Sequence, residues 1–203
     1  MNVKEGYLKF NCVWDNASFD FPDSLFEIIN PWRTRLHEKG LVGCNSEGIG
    51  YGNVSIQTGD GRFIITGTAT GHKKTLSKDD YALITGYDIS ENSVHCTGRA
   101  KASAETMSHA AVYECNGAIA AVIHIHHLRL WENLKGVLQT TNAAVEYGTP
   151  QMAYEILRLF KEPVVSQQKI FVMGGHEEGI ISFGESLDDA GEVILEYFNN
   201  LGK

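Results

Sequence analysis

Cysteine is scarce and scattered: Cys12, Cys44, Cys96 and Cys115 form no C-x-x-C pair. A disulfide-stapled secreted scaffold is therefore excluded, and free thiols in a reducing cytoplasm are expected. Long apolar runs are missing too. The longest, Ala118 to Ile123, is far too short to span a bilayer. Met1 to Phe21 mixes charges with aromatics and lacks the apolar core of a signal segment. Basic residues are in deficit, 17 Lys and Arg against 25 Asp and Glu, for a formal charge of −8. A field of that sign repels phosphate backbones and anionic lipid, so neither nucleic acid nor a membrane is an expected partner. A local anion pocket remains open. Internal repeats and low-complexity linkers are absent as well. With 43% hydrophobic and 21% charged residues, the composition is that of a folded globule, expected as one domain over residues 1–203.

What is present divides into helical and extended stretches. After an irregular start, Leu25, Ile28, Ile29, Trp32 and Leu36 have helical spacing up to Gly40, with Pro31 expected to kink or split the helix. Short β-rich runs follow at Asn53–Gln57, Arg62–Thr66, Tyr81–Thr85 and Val94–Thr97, the first two joined by a Thr58-Gly59-Asp60-Gly61 hairpin turn. A helix is expected from Ser103 to Cys115, a buried strand over Ala120–His126 and a helix from Thr149 to Lys161. Strands at Lys169–Met173 and Gly179–Phe183 precede a last helix from Ser186 to Asn200. Strands in hairpin-like succession, with helices at the start, middle and end, point to an α/β protein with a mainly antiparallel sheet packed in layers by helices.

The densest chemistry is His124-Ile125-His126-His127, directly after the apolar run. Residues two apart on a strand share a face, so His124 and His126 project together while His127 turns away. Two such imidazoles make half of a divalent-metal site. The best third candidate is His176, in Met173-Gly174-Gly175-His176-Glu177-Glu178-Gly179 between two expected strands. The plain alternative for any one histidine is a surface or hydrogen-bonded residue, which is the reading for His37, His72 and His95. Glu105 and His109 lie four apart at the start of the expected helix. A carboxylate beside a bound dication could remove a proton alpha to a carbonyl that the metal polarises. A first-turn acid that merely complements the helix dipole is the alternative. Two glycine-rich turns, Gly50 to Ser55 and Thr66 to Gly71, can present backbone N–H groups to a phosphate, with Ser103 adding a contact, but neither is a Walker loop. On spacing alone, hydrolysis by a zinc-bound water stays open beside enolate chemistry.

Taken in order, these pieces resemble the class II aldolase/adducin family, which includes sugar-phosphate aldolases and 4-epimerases. The matching elements are Gly52-Asn53-Val54-Ser55, Ile64-Ile65-Thr66-Gly67, Ser103-x-Glu105-xxx-His109-xxx-Tyr113, Val122-Ile123-His124-Ile125-His126, Tyr147-Gly148-Thr149 and His176 with its glycines. The resemblance implies a three-layer α/β/α domain around a mainly antiparallel sheet, assembled as a homotetramer with sites at subunit interfaces. It implies Zn2+, or another divalent metal, on His124, His126 and His176, with Glu105 as catalytic acid/base. Gly52, Asn53, Thr68 and Ser103 would bind the phosphate of a sugar phosphate or a related ketol. Because the epimerases carry Asp where Glu105 stands, the expected reaction is an aldolase-type carbon–carbon cleavage. An epimerase, a dehydratase and a non-catalytic adducin-like module are the alternatives. The chain also departs from the family pattern. Ala104 removes a hydroxyl, Gly67 stands where proline is usual, and Glu177-Glu178 follow His176 where many members have glycine. The sequence stops soon after Tyr197, so the tail tyrosine that some aldolases use as proton donor is expected to be absent.

Overall fold

The structure, a computed structural model, describes residues 7–201. The first six and last two residues, part of the expected irregular start and of the domain expected over 1–203, lie outside the described residues. The chain opens with β1 (Asn11–Asp15), α1 (Asp23–Glu38), β2 (Gly43–Cys44) and β3 (Gly50–Tyr51). Next come β4 (Asn53–Gln57), β5 (Phe63–Thr66), β6 (Tyr81–Asp88) and β7 (Ser93–Thr97). The second half holds α2 (Thr106–Cys115), β8 (Ala121–His126), α3 (Leu128–Leu134), α4 (Pro150–Leu159) and α5 (Pro163–Gln168). It ends with β9 (Ile170–Val172), β10 (Gly179–Gly184) and α6 (Leu187–Asn199).

Eight strands form one sheet in the order β1-β7-β6-β5-β4-β8-β10-β9, and β2 pairs with β3 apart from it. Every neighbouring pair in the large sheet is antiparallel except β1 with β7. The mainly antiparallel α/β architecture is thus the one expected. Side-chain alternation builds the layers. Ala121, Ile123 and Ile125 of β8, with Val54, Ile56 and Ile180, pack against Ile29 and Leu36 of α1, Leu130 of α3, and Leu187 and Ile194 of α6. Their neighbours Val122, Ile181 and Phe183 turn to the opposite layer, against Met107 and Ala110 of α2 and Met152 and Ile156 of α4. Because β8 is covered on both faces, all six of its residues are buried. Among the described residues no helix is long and apolar enough to cross a membrane.

Several local expectations need correction. Helix α1 runs through Pro31 without dividing. Pro31 and the residue whose carbonyl it leaves unbonded, Glu27, are both exposed, so water can take up the lost hydrogen bond. The start is not wholly irregular: β1 pairs in parallel with β7, a long-range match that local pattern does not encode. Helix α2 begins at Thr106 rather than Ser103, because residues 103–105 form a turn in which the Thr106 N–H bonds the Ser103 carbonyl at 3.1 Å. Two short helices, α3 and α5, fill stretches for which the sequence predicts no element.

Ile123 is fully buried between β8 and the α1/α6 layer. Ile123→Ala is expected to lower the unfolding free energy by about 2–4 kcal/mol in chemical denaturation; a loss below about 1 kcal/mol would contradict the packing.

Candidate functional site

Strand pairing brings distant residues together at one end of the sheet. Asn53 at the start of β4 pairs with His124, and Gly179 at the start of β10 pairs with His126. His124 and His126 share the face of Val122, as their two-residue spacing predicts. Between Met173 and Gly179 a tight turn returns His176 to them: the Gly179 N–H bonds the His176 carbonyl at 2.9 Å and the Met173 N–H bonds the Gly179 carbonyl at 2.9 Å. The three rings converge. Their centroids lie 4.8, 5.1 and 4.6 Å apart, and one ring nitrogen from each falls within 4.8 Å of the others. His124 and His126 approach through their Nε2 atoms at 3.0 Å, while Nδ1 of His124 donates to the Ile180 carbonyl at 3.2 Å. Burial holds the pKa of His124 well below the usual imidazole value, so the ring stays neutral, the form a metal requires. Three buried, neutral-capable imidazoles facing one point fit a divalent cation.

Glu105 sits beside this cluster, although not in the first turn of α2. It is the residue just before the helix, and its side chain makes no cap hydrogen bond. Instead the buried carboxylate accepts from Ser108 Oγ at 2.6 Å and faces His176 Nδ1 at 3.3 Å. Burial pushes its pKa up, but the hydrogen bond and charge of His176, helped by His124 and Ser108, prevail and hold it at about 2. His109, expected on the same helical face, lies deeper. Its Nδ1 meets Ser55 Oγ at 2.7 Å, and Ser55 Oγ also meets Tyr113 Oη at 2.7 Å, tying β4 to α2. Burial keeps His109 neutral, with a pKa of about 3, against the weaker upward pull of Glu105.

All of the residues assigned to the site from the sequence border one cleft: Gly52, Asn53, Thr68 and Ser103 lie with Glu105 and the three histidines. Gly52 has φ +69°, and a Cβ there would come within 3.0 Å of the His124 carbonyl, so the β3–β4 turn needs glycine to pass this close to β8. His37, His72 and His95 lie outside the cleft. His127 turns away and caps α3, accepting the Leu130 N–H at 3.1 Å. Sequence reasoning missed three contributors. Tyr147 stacks on His176 with centroids 4.5 Å apart, and Tyr51 lies 5.5 Å from the His126 ring. Buried Arg33 donates to the carbonyls of Thr70 at 3.1 Å and Lys74 at 2.8 Å, and also to those of Lys73 and Gly71, anchoring the second glycine turn from behind. Tyr147 had a signal, being part of a motif of the resemblance; Arg33 had only its unusual place on the apolar face of α1.

The profile of the class II aldolase and adducin N-terminal domain family matches residues 35–199. Methylthioribulose-1-phosphate dehydratase from Gluconacetobacter diazotrophicus is 28% identical over 144 residues. That match takes in 65% of this chain and 60% of the relative, so it spans less than two thirds of the relative's length. Among solved structures, L-fuculose-1-phosphate aldolase from Thermus thermophilus superposes with a TM-score of 0.63 at 18% identity, covering 89% of this chain and 92% of its own. A sugar-phosphate aldolase from Thermotoga maritima gives 0.56 at 15% identity, covering 85% and 94%. These likenesses concern the fold.

The neutral state of His109 sets an acid sensitivity. Above its unfolded pKa near 6.5 neither state takes up a proton there, whereas between about 6.5 and about 3 the unfolded chain binds more protons, so stability is lost as the pH is lowered through that range. With a chelator present, His109→Gln is expected to make this decline shallower by up to about 1.4 kcal/mol per pH unit. Urea unfolding at a series of pH values measures it; an unchanged slope would mean that His109 is not held neutral.

Proposed function

The chain belongs to the class II aldolase and adducin family, and from that premise we propose that it is a metal-dependent lyase that cleaves a carbon–carbon bond of a ketose phosphate or related ketol. The observation that carries this reading is the convergence of three buried imidazoles beside a buried carboxylate in one cleft. His124, His126 and His176 would hold Zn2+ or another divalent cation. Such an ion, when bound, supplies Lewis-acid polarisation of a substrate carbonyl.

The chain's own residues do the rest. The turns carrying Gly52, Asn53 and Thr68, with Ser103, would orient the phosphate through backbone N–H groups and hydroxyls. Glu105 would carry the proton. Burial alone would bring its pKa up toward the range of a proton carrier; the contact with His176 is what holds it at about 2. Ser108 Oγ at 2.6 Å and His176 Nδ1 at 3.3 Å hold the carboxylate at the edge of the cleft, where it would accept and return the substrate's proton. Tyr147, stacked on His176, keeps that ring in place and shields it from water.

A second reading, loss of water from a sugar phosphate, is favoured by the dehydratase relative. It would use the same ligands and the same carboxylate. Epimerisation is the remaining family alternative, set apart by Glu105 in place of Asp. A non-catalytic module has no physical need for an ionised carboxylate buried against three imidazoles. The reading extends to a cytoplasmic homotetramer of single-domain chains acting on a free small molecule, in keeping with the charge of −8.

The wild-type protein is expected to hold about one divalent ion per chain, and His126→Ala to lose it by elemental analysis. Glu105→Gln should keep the metal yet turn over about 10²–10⁴-fold more slowly on a panel of ketose phosphates. Full turnover in that variant would remove Glu105 from its role, and product analysis on the same panel separates cleavage from dehydration and epimerisation.

A further inference from the structure

The turn that carries His176 also carries a side chain with no part in the chemistry above. Glu178 has φ +68°, in the left-handed region where glycine is the default and a glutamate is strained. The turn imposes that conformation. The Glu178 carbonyl accepts the His127 N–H at 3.0 Å, and the next residue, Gly179, closes the turn onto the His176 carbonyl at 2.9 Å. Glycine would meet the same backbone demands without strain. What the glutamate adds is a carboxylate, with Oε2 3.8 Å from Nδ1 of buried His126. The other nitrogen of that ring, Nε2, faces His124 across the cluster.

We propose that Glu178 is a positioning residue for the cation site: its carboxylate engages Nδ1–H of His126, fixing the tautomer that leaves Nε2 free to ligate and strengthening the ring as a donor. The inference rests on the reading of His124, His126 and His176 as ligands. It completes a pattern in which the Nδ1 of each ring faces an oxygen acceptor, at 3.2 Å for His124, 3.3 Å for His176 and 3.8 Å for His126. His124 uses the Ile180 carbonyl, His176 faces Glu105, and His126 faces Glu178. The two carboxylates differ in station. Glu105 is buried in the cleft beside the substrate space, whereas Glu178 is half-buried on the turn, where it can orient a ring without entering proton transfer. Glu177, adjacent and exposed, carries the same charge with no such contact and serves as the control.

The test is the affinity of the full-length, metal-stripped protein for Co2+ and Zn2+, measured by chelator competition, with the cobalt absorption spectrum and the metal-free melting temperature alongside. Glu178→Gly is expected to bind both ions about 10–100-fold more weakly. The same change should raise the metal-free melting temperature by about 2 °C, because the strain is relieved. Glu178→Asn tolerates the left-handed backbone but falls short of His126, and should lose affinity to the same degree with an altered cobalt spectrum. Glu177→Gln should stay within about 3-fold of the wild type. Wild-type affinity in both Glu178 variants overturns the proposal, as does an equal loss in Glu177→Gln. So does a lower metal-free melting temperature in Glu178→Gly with binding retained, which would assign the residue to the turn alone. Failure of the wild-type protein to bind either ion would instead defeat the reading of the histidines as ligands, and so is told apart from failure of the role given to Glu178.

Discussion

The register of β8 between β4 and β10 is the constraint on which the site depends. Pairing of Asn53 with His124 and of Gly179 with His126 fixes which residues face which layer. Ile123 and Ile125 are thereby committed to the layer of α1, α3 and α6, and the two histidines to the cleft. Because strand side chains alternate strictly, a slip by one residue would drive both imidazoles into an apolar layer and turn two isoleucines toward the polar cleft. The cost of burying unpaired rings excludes that arrangement. The His126 N–H adds a further lock, bonding the Leu41 carbonyl at 2.9 Å where β8 leaves the sheet. The hydrophobic pattern of one strand thus selects the geometry of a polar site.

That selection has a cost spread through the neighbouring interior. Polar side chains are buried around the cleft, and most find partners. Ser55, His109 and Tyr113 satisfy one another across β4 and α2, and burial keeps the Tyr113 phenol firmly protonated. Oδ1 of Asn53 and Nε2 of His109 have no hydrogen-bond partner among the described residues, and neither do Oδ1 of Asn92 and Oε1 of Gln168 away from the cleft. The Asn53 atom belongs to a cleft residue, where an incoming ligand could satisfy it. Behind the second glycine turn the buried charge is matched: four backbone carbonyls around Arg33 take up its donors, although burial still lowers its pKa.

Much of this could be read from the sequence, and the reasons are particular. The His-x-His pair was legible because strand period converts spacing directly into a shared face, and β8 is long enough for its apolar alternation to show. The hairpin between β4 and β5 was legible from its turn residues. The pairing of β1 with β7 was not, since a parallel partner about 80 positions away leaves no local mark. The unbroken α1 was missed because the tolerance of Pro31 depends on which face of the helix meets water. The pattern around Glu105 reads as the start of a helix, whereas the residue precedes α2, in a short segment that turns its carboxylate toward Ser108 and His176 instead of capping the helix. The acidic pair after His176 could be noticed but not oriented. Only the closed turn, with its left-handed residue, separates Glu178, which faces a histidine, from Glu177, which faces solvent.

The charge of the cleft raises a last physical question, how a protein of net charge −8 would hold an anionic substrate. Among the described residues no lysine or arginine lines the cavity, so direct ion pairing within the chain is not the device. What lines the space is the two glycine turns with Thr68, and Ser103 to Glu105, the segment leading into the N-terminal end of α2, the end at which a helix dipole is positive. Arg33 stands one layer behind, its guanidinium hidden by the carbonyls of the turn it anchors. Such an arrangement grips an anion by geometry more than by net charge, which makes it discriminating and weak at long range. A cation clasped by three imidazoles would then be the strongest positive centre in the cleft, and whatever fixes those rings fixes where a substrate's negative and carbonyl oxygens come to rest. On the reading of His126 as a ligand, the carboxylate of Glu178, 3.8 Å from that ring, would then bear on recognition as much as on metal retention, since a ring free to swing would move the cation relative to Glu105.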